Sequence, residues 1–145
     1  MAALFSMLVA VFALDRAAKW LALQRPGLGG RASLVGLFSI QPVRNAHPWT
    51  WPGGSPAAWL LAIGLGLAAA LLLVQIDPLS GRATQVGLGA ALGGALGNLY
   101  DRLRHGAVLD FLRLGRLSVF NVADAAIVLG LLAVLGSYAI AAAEA

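Results

Sequence analysis

Asp15 and Lys19 stand four residues apart, Asn98 and Arg102 four apart with Asp101 between them, and Asn121 and Asp124 three apart. On a helix each of these pairs shares a face. Asp110 sits in an otherwise apolar run, Ala107-Val108-Leu109-Asp110-Phe111-Leu112. A carboxyl set among apolar residues holds its proton above the usual range, because desolvation disfavours the charged form. A second carboxylate nearby raises one of the two further. Two aspartates sharing one proton can hydrolyse a peptide: one takes a proton from water while the other donates to the carbonyl oxygen. Spacing alone leaves the choice of pair open, since Asp15, Asp101, Asp110 and Asp124 are all available. Structural roles compete with the chemical ones. Asp15 and Lys19 can be a neutralised pair, Asp124 a helix cap, and Asp110 a solvated loop residue or a partner of Arg113.

Other chemistries find less support. The chain has no Cys, which excludes thiol nucleophiles and disulfide staples. His47 and His105 are far apart and give weak support to a metal site. Ser118 has no Lys or His base at helical spacing. The glycines around residue 93 lack the Lys and Ser/Thr of a phosphate-binding loop.

The elements that must position these residues are membrane helices. Of 145 residues 60% are hydrophobic, and only ten are basic and six acidic. A soluble domain is about a quarter charged. A disordered chain needs the opposite composition. Four stretches approach the ~20 apolar residues that a membrane-crossing helix requires: about 2–23, 56–76, 84–102 and 122–143. Ser55-Pro56 reads as an N-cap with proline in the first turn, Asp77-Pro78 as a stop, and Thr84 as the cap of the third helix. Gly89, Gly93 and Gly97 form a small-residue face that lets another helix backbone approach closely in lipid. The first span reads as a retained helix rather than a cleaved signal peptide, since Asp15-Arg16 interrupts its apolar core.

Residues 31–50 alternate apolar and polar side chains around Phe38 to Gln41, which predicts a small β region at the membrane surface. Residues 102–120 read as a shorter loop on the same side. Trp20, Trp49, Trp51 and Trp59 mark that side as a membrane interface. The fold expected is an all-α membrane protein of one domain, with four transmembrane helices and a small β-sheet and loop region at one face. Arg25, Arg31, Arg44, Arg104, Arg113 and Arg116 all fall on the loop-rich side and only Arg82 on the other. Counted alone, they place the loops in the cytoplasm. The net charge of +4 points to anionic lipid head groups rather than nucleic acid.

The blocks Gly97-Asn98-Leu99-Tyr100-Asp101-Arg102, Asp110-Phe111 and Phe120-Asn121-Val122-Ala123-Asp124 resemble the lipoprotein signal peptidases, or signal peptidase II. So do Asp15-Arg16-Ala17-Ala18-Lys19 and Arg44-Asn45, and the match runs in order along nearly the whole chain. The resemblance implies an intramembrane aspartyl endopeptidase that needs no metal or cofactor. It would cleave the signal peptide of a diacylglyceryl-modified prolipoprotein just before the lipidated cysteine. It places the catalytic pair on Asp110 and Asp124, and supporting positions on Asp15, Lys19, Asn45, Asn98, Asp101, Arg102 and Asn121. Asp101 is expected to shape the site with Arg102 or Arg104.

The resemblance also implies a monomer in the bacterial inner membrane, contacting phospholipids and lipidated signal peptides, with cytoplasmic termini and the site near the outer face. This is opposite to the arginine count. Arg44, Arg113 and Arg116 are then candidates for holding lipid phosphates. One departure stands out. Asn45 is followed by Ala46-His47-Pro48-Trp49, where the family has x-Gly-Ala-Ala-Phe, so a flexible position is lost. Two readings from other classes are a transporter or channel subunit with a proton relay, and an assembly factor held by its glycine seam. The first predicts polar residues through the mid-span positions, yet the second span has only Gln75. The second gives no reason for aspartates gathered at one side.

Overall fold

A computed structural model describes residues 1–24, 32–35, 38–45, 81–115 and 118–144, with Leu65, Gly66, Ala68, Ala69 and Leu72 between them. Its elements are α1 (Ala2–Leu23), β1 (Ala32–Val35), β2 (Phe38–Asn45), α2 (Arg82–His105), β3 (Val108–Leu114), β4 (Ser118–Phe120) and α3 (Val122–Ala143). The five positions between 65 and 72 are helical and exposed. The rest of the expected second span lies outside the described residues, as do Ser55-Pro56, Asp77-Pro78, Trp49, Trp51 and Trp59.

α2 is the central helix, packed against α1 on one side and α3 on the other. Its glycines make this possible. A Cβ on Gly89 or Gly93 would strike the backbone carbonyls of Leu4 and Leu8 in α1. On Gly87 or Gly94 it would strike those of Gly130 and Ala123 in α3. Two faces of one helix therefore lack side-chain bulk, one for each neighbour, and the backbones meet. The described apolar core is correspondingly small, built on Leu4, Leu88 and Leu92 with Leu8 and Val134 against it. Large apolar side chains such as Val9, Leu14, Leu129, Leu132, Leu135 and Ile140 point outward. Among the described residues α3 is the one helix long and apolar enough to cross a bilayer by length and composition. α1 carries three charges, and α2 is rich in glycine.

Thr84 does not cap α2. The helix starts two residues earlier, after Gly81 in extended conformation. Thr84 is buried inside the first turn, where its Oγ1 has no hydrogen-bond partner. The other end of α2 runs past the expected 102 to His105 and stops at Gly106, whose φ of 70° is left-handed. A glycine adopts that conformation without steric cost, and the chain can turn back at once.

The stretch expected as a loop after α2 is instead a hairpin, β3 and β4. Its β-branched and large apolar residues pair onto the free edge of β2, completing an antiparallel sheet of order β1-β2-β3-β4. β2 is an inner strand, yet it contains Pro42, which cannot donate to a ladder. The register shifts between Ile40 and Val43, and this irregularity takes up the proline.

Overpacking a close contact costs about 1–3 kcal/mol. Gly94→Ala should therefore lower the unfolding temperature of the purified chain in detergent. Gly136→Ala should not lower it, because no described residue lies within 4 Å of a Cβ there and alanine suits a helix interior better than glycine.

Candidate active site

Four charges from α1 and α2 meet where the two helices approach the sheet. Lys19 Nζ lies 2.9 Å from Asp15 and 2.7 Å from Asp101, and Arg16 lies 2.6 Å from Asp15 and 2.5 Å from Asp101. Asp15, Lys19 and Asp101 are fully or nearly fully buried. In a low-dielectric interior such charges persist only when paired and hydrogen-bonded. The remaining capacity is filled accordingly. Asp15 Oδ1 accepts the N–H of Ala123 in the first turn of α3, where a helix favours negative charge. Asp101 Oδ2 accepts the N–H of Leu109 in β3, and Arg16 donates to the Gly97 carbonyl. Gly97 is required there, since a Cβ would lie 2.7 Å from Asp15 Oδ2.

A chain of amides leads from this cluster to the two remaining aspartates. Lys19 Nζ donates to Asn98 Oδ1, and Asn98 Nδ2 donates to Asp124 Oδ1 at 2.7 Å. Asn121 Nδ2 donates both to Asn98 Oδ1 and, at 2.8 Å, to Asp110 Oδ1. Asn45 Nδ2 donates to Asp110 Oδ2 from the neighbouring strand. Asn45 pairs with Val108, so Asp110 is its diagonal neighbour on the same sheet face. Asn121 and Asp124 also form a reciprocal capping box at the start of α3: each side chain accepts the other's backbone N–H.

Asp110 and Asp124 both line a cavity of about 380 Å³, together with Asn45, Asn98, Arg102 and apolar residues that include Phe120 and Ile127. Burial holds the Asp110 carboxyl above its ordinary value of 3.8. The hydrogen bond from Asn45 works against this, the charge of Asp124 adds to it, and the bond from Asn121 again opposes it.

The nine residues singled out from the sequence thus converge. Asp15, Lys19 and Asp101 form the buried ionic cluster, while Asn45, Asn98, Arg102, Asp110 and Asp124 line the cavity and Asn121 lies buried behind them, bonded to Asn98 and Asp110. One expected pairing is corrected. Asp101 is held by Arg16 and Lys19, not by Arg102 or Arg104, because it faces α1 while Arg102 faces the cavity. Asp110 is a buried strand residue rather than a solvated loop residue. The sequence reading gave Arg16 no role, although three charges in one apolar span must find partners. Arg16 also lies 4.9 Å from the ring centre of Tyr100 and 5.8 Å from that of Phe12.

A family model described as signal peptidase (SPase) II matches residues 7–140. The chain belongs to the signal peptidase II family. It is 37% identical over 141 residues to the lipoprotein signal peptidase of Rhizorhabdus wittichii, covering 88% of this chain and 80% of that one. It is 34% identical over 128 residues to the lipoprotein signal peptidase of Nostoc sp., covering 86% and 81%. A solved bacterial membrane enzyme shares the fold at a TM-score of 0.78 and 22% identity, covering 95% of this chain and 93% of that one. Signal peptidase II homologues are peptidases, so the transporter and assembly-factor readings fall away.

Two measurements test the site's electrostatics. Asp101→Asn leaves Lys19 and Arg16 short of a counter-charge, and breaking a buried pair costs about 3–5 kcal/mol. The variant should unfold at a markedly lower temperature in detergent. Asp110 keeps its proton to higher pH in the folded chain than in the unfolded one. Its contribution to stability is therefore full below the ordinary value of 3.8 and is lost as pH rises through the raised value. Thermal melts across about pH 4 to 8 should show Asp110→Asn gaining on the unsubstituted chain as pH rises, by about 1.4 kcal/mol per unit of raising.

Proposed function

We propose that the chain is an intramembrane aspartyl endopeptidase that removes the signal peptide from diacylglyceryl-modified prolipoproteins, cutting just before the lipidated cysteine. The observation that carries this reading is that Asp110 and Asp124 open on one cavity and are joined through Asn98 and Asn121. Burial holds one carboxyl toward its protonated form. Family membership supplies the substrate class, through relatives named lipoprotein signal peptidase.

In this reading Asp124, tied by hydrogen bonds to Asn98 Nδ2 and the Asn121 N–H, is the base and takes a proton from a water in the cavity. Asp110, protonated, donates to the scissile carbonyl oxygen as the water oxygen attacks the carbon. The tetrahedral intermediate then collapses. The peptide C–N bond breaks, the proton held by Asp124 passes to the leaving nitrogen, and the proton on the hydroxyl returns to Asp110. Arg102 lines the same cavity and supplies positive charge beside the developing oxyanion. Lys19 acts at one remove, by fixing the Asn98 carbonyl oxygen and hence the direction of its amide donor.

We place four helices across the bilayer, with the sheet and the aspartate cavity at its outer face and both termini in the cytoplasm. The lipid tails of the substrate would then remain in the membrane while the peptide enters laterally between helices and sheet. The outward apolar surface of α1 and α3 supports their contact with lipid, and the family resemblance supplies the orientation. Positive charge on the loop side does not, and we attribute it to contacts with lipid and substrate.

Purified protein incubated with a diacylglyceryl-modified prolipoprotein should release the signal peptide. Asp110→Asn and Asp124→Asn should each reduce release about 10²- to 10⁴-fold while leaving a folded protein by thermal melt. Undiminished release by both variants would remove the dyad from consideration.

A further inference from the structure

The sheet has two faces, and only one belongs to the aspartates. Side chains alternate along a strand, so Asn45 and Asp110 line the aspartate cavity while their neighbours Arg44 and Leu109 line a second cavity of about 290 Å³. Arg16, Lys19, Trp20, Tyr100 and His105 complete its functional lining. Asp101 is the carboxylate there, and it is already held by Arg16 and Lys19. Arg44 is exposed and makes no hydrogen bond or ion pair with the described residues. Arg16 Nε is buried and lacks a hydrogen-bond partner. The two cations and two carboxylates of the ionic cluster balance, so Arg44 is the cavity's uncompensated charge, flanked by an indole and a phenol at the ends of α1 and α2.

Tyr100 also borders a third depression, which is almost wholly apolar. This groove of about 340 Å³ runs between α1 and α2 along Leu8, Val9, Phe12, Leu96, Leu99 and Leu103. From Trp20 to Leu8 is twelve residues of helix, or roughly 18 Å, comparable with half the ~30 Å hydrocarbon thickness of a bilayer. The basic aromatic pocket and the apolar groove meet at Tyr100, and together they span about one leaflet.

We propose that this composite site holds one anionic phospholipid, with its phosphate on Arg44 and His105 and an acyl chain in the groove. Arg44 is the charge left for the phosphate, because Arg16 and Lys19 serve the ionic cluster. The indole of Trp20 suits the glycerol level of the membrane. The site lies across the sheet from the aspartates and stands whether or not they are catalytic. It gives the loop-side arginine at position 44 a physical purpose. Occupancy adds negative charge beside Lys19, whose bond to Asn98 leads to Asp124.

Native mass spectrometry of the full chain released from detergent micelles tests the proposal. The probes are phosphatidylglycerol, phosphatidylcholine with the same chains, and inorganic phosphate. Phosphatidylglycerol should be retained about tenfold more than phosphatidylcholine, and Arg44→Gln should remove about that factor. Arg113→Gln, on the same sheet but bonded to Gln41 and the Gly115 carbonyl, should leave retention unchanged. Leu103→Asp, at an exposed groove position, should weaken retention of phosphatidylglycerol with Arg44 intact. Equal retention of the two lipids, equal losses from Arg44→Gln and Arg113→Gln, or displacement of the lipid by an equal concentration of inorganic phosphate would each overturn it.

Discussion

Burying charge in an apolar interior is expensive, and the molecule is organised around one place where it is done. Asp15, Arg16, Lys19 and Asp101 neutralise one another at the meeting point of α1 and α2. Their spare lone pairs reach two further elements, α3 through Ala123 and β3 through Leu109. Three helices and the sheet are thereby tied to a single electrostatic knot. The tie is directional as well as attractive, since each carboxylate oxygen has an assigned donor. Separating α1 from α2 would leave charges without partners, and displacing α3 or β3 would leave a buried carboxylate oxygen without its donor.

From this knot the polarity runs outward through neutral amides. Asn98 and Asn121 relay the geometry of the charged cluster to Asp110 and Asp124 without adding charge. This separates two demands on the acids. Asp15 and Asp101 hold the fold, and they sit directly against cations. Asp110, the proposed proton donor, has the amides of Asn45 and Asn121 as its donors instead. The same side chain in the same small protein is set to two different tasks by what donates to it.

Much of this was legible in the chain. Scarce charge and long apolar runs predict helices at 2–23 and 122–143, and α1 and α3 occupy those residues. The Asp15–Lys19 and Asn121–Asp124 spacings predict shared faces, and each pair does meet. What stayed hidden has a common cause in long-range contact. Residues 102–120 read as a loop because the partner of β3, the edge of β2, lies some 65 residues earlier in the chain. Arg16 had no visible role because Asp101, its partner on α2, is 85 residues away. The proposed choice of Asp110 and Asp124 from four aspartates rests on family resemblance, since spacing cannot tell which carboxyls face cations and which face amides. The Ala46-His47-Pro48-Trp49 departure falls outside the described residues.

The glycine contacts of α2 have a consequence for how this protein can change. Where side chains interdigitate, a substitution is absorbed by neighbours taking new rotamers, and the geometry of a site can drift. Here the atoms standing where Cβ would go are carbonyl groups of α1 and α3, which have no rotamers to take. The helical scaffold is therefore keyed backbone to backbone and offers few routes for gradual adjustment. Variation that reshapes the cavity must be carried by its apolar lining side chains instead, such as Val108, Val119, Phe120 and Ile127. The helix backbones fix where the polar cluster stands, while the side chains around the cavity are free to diversify.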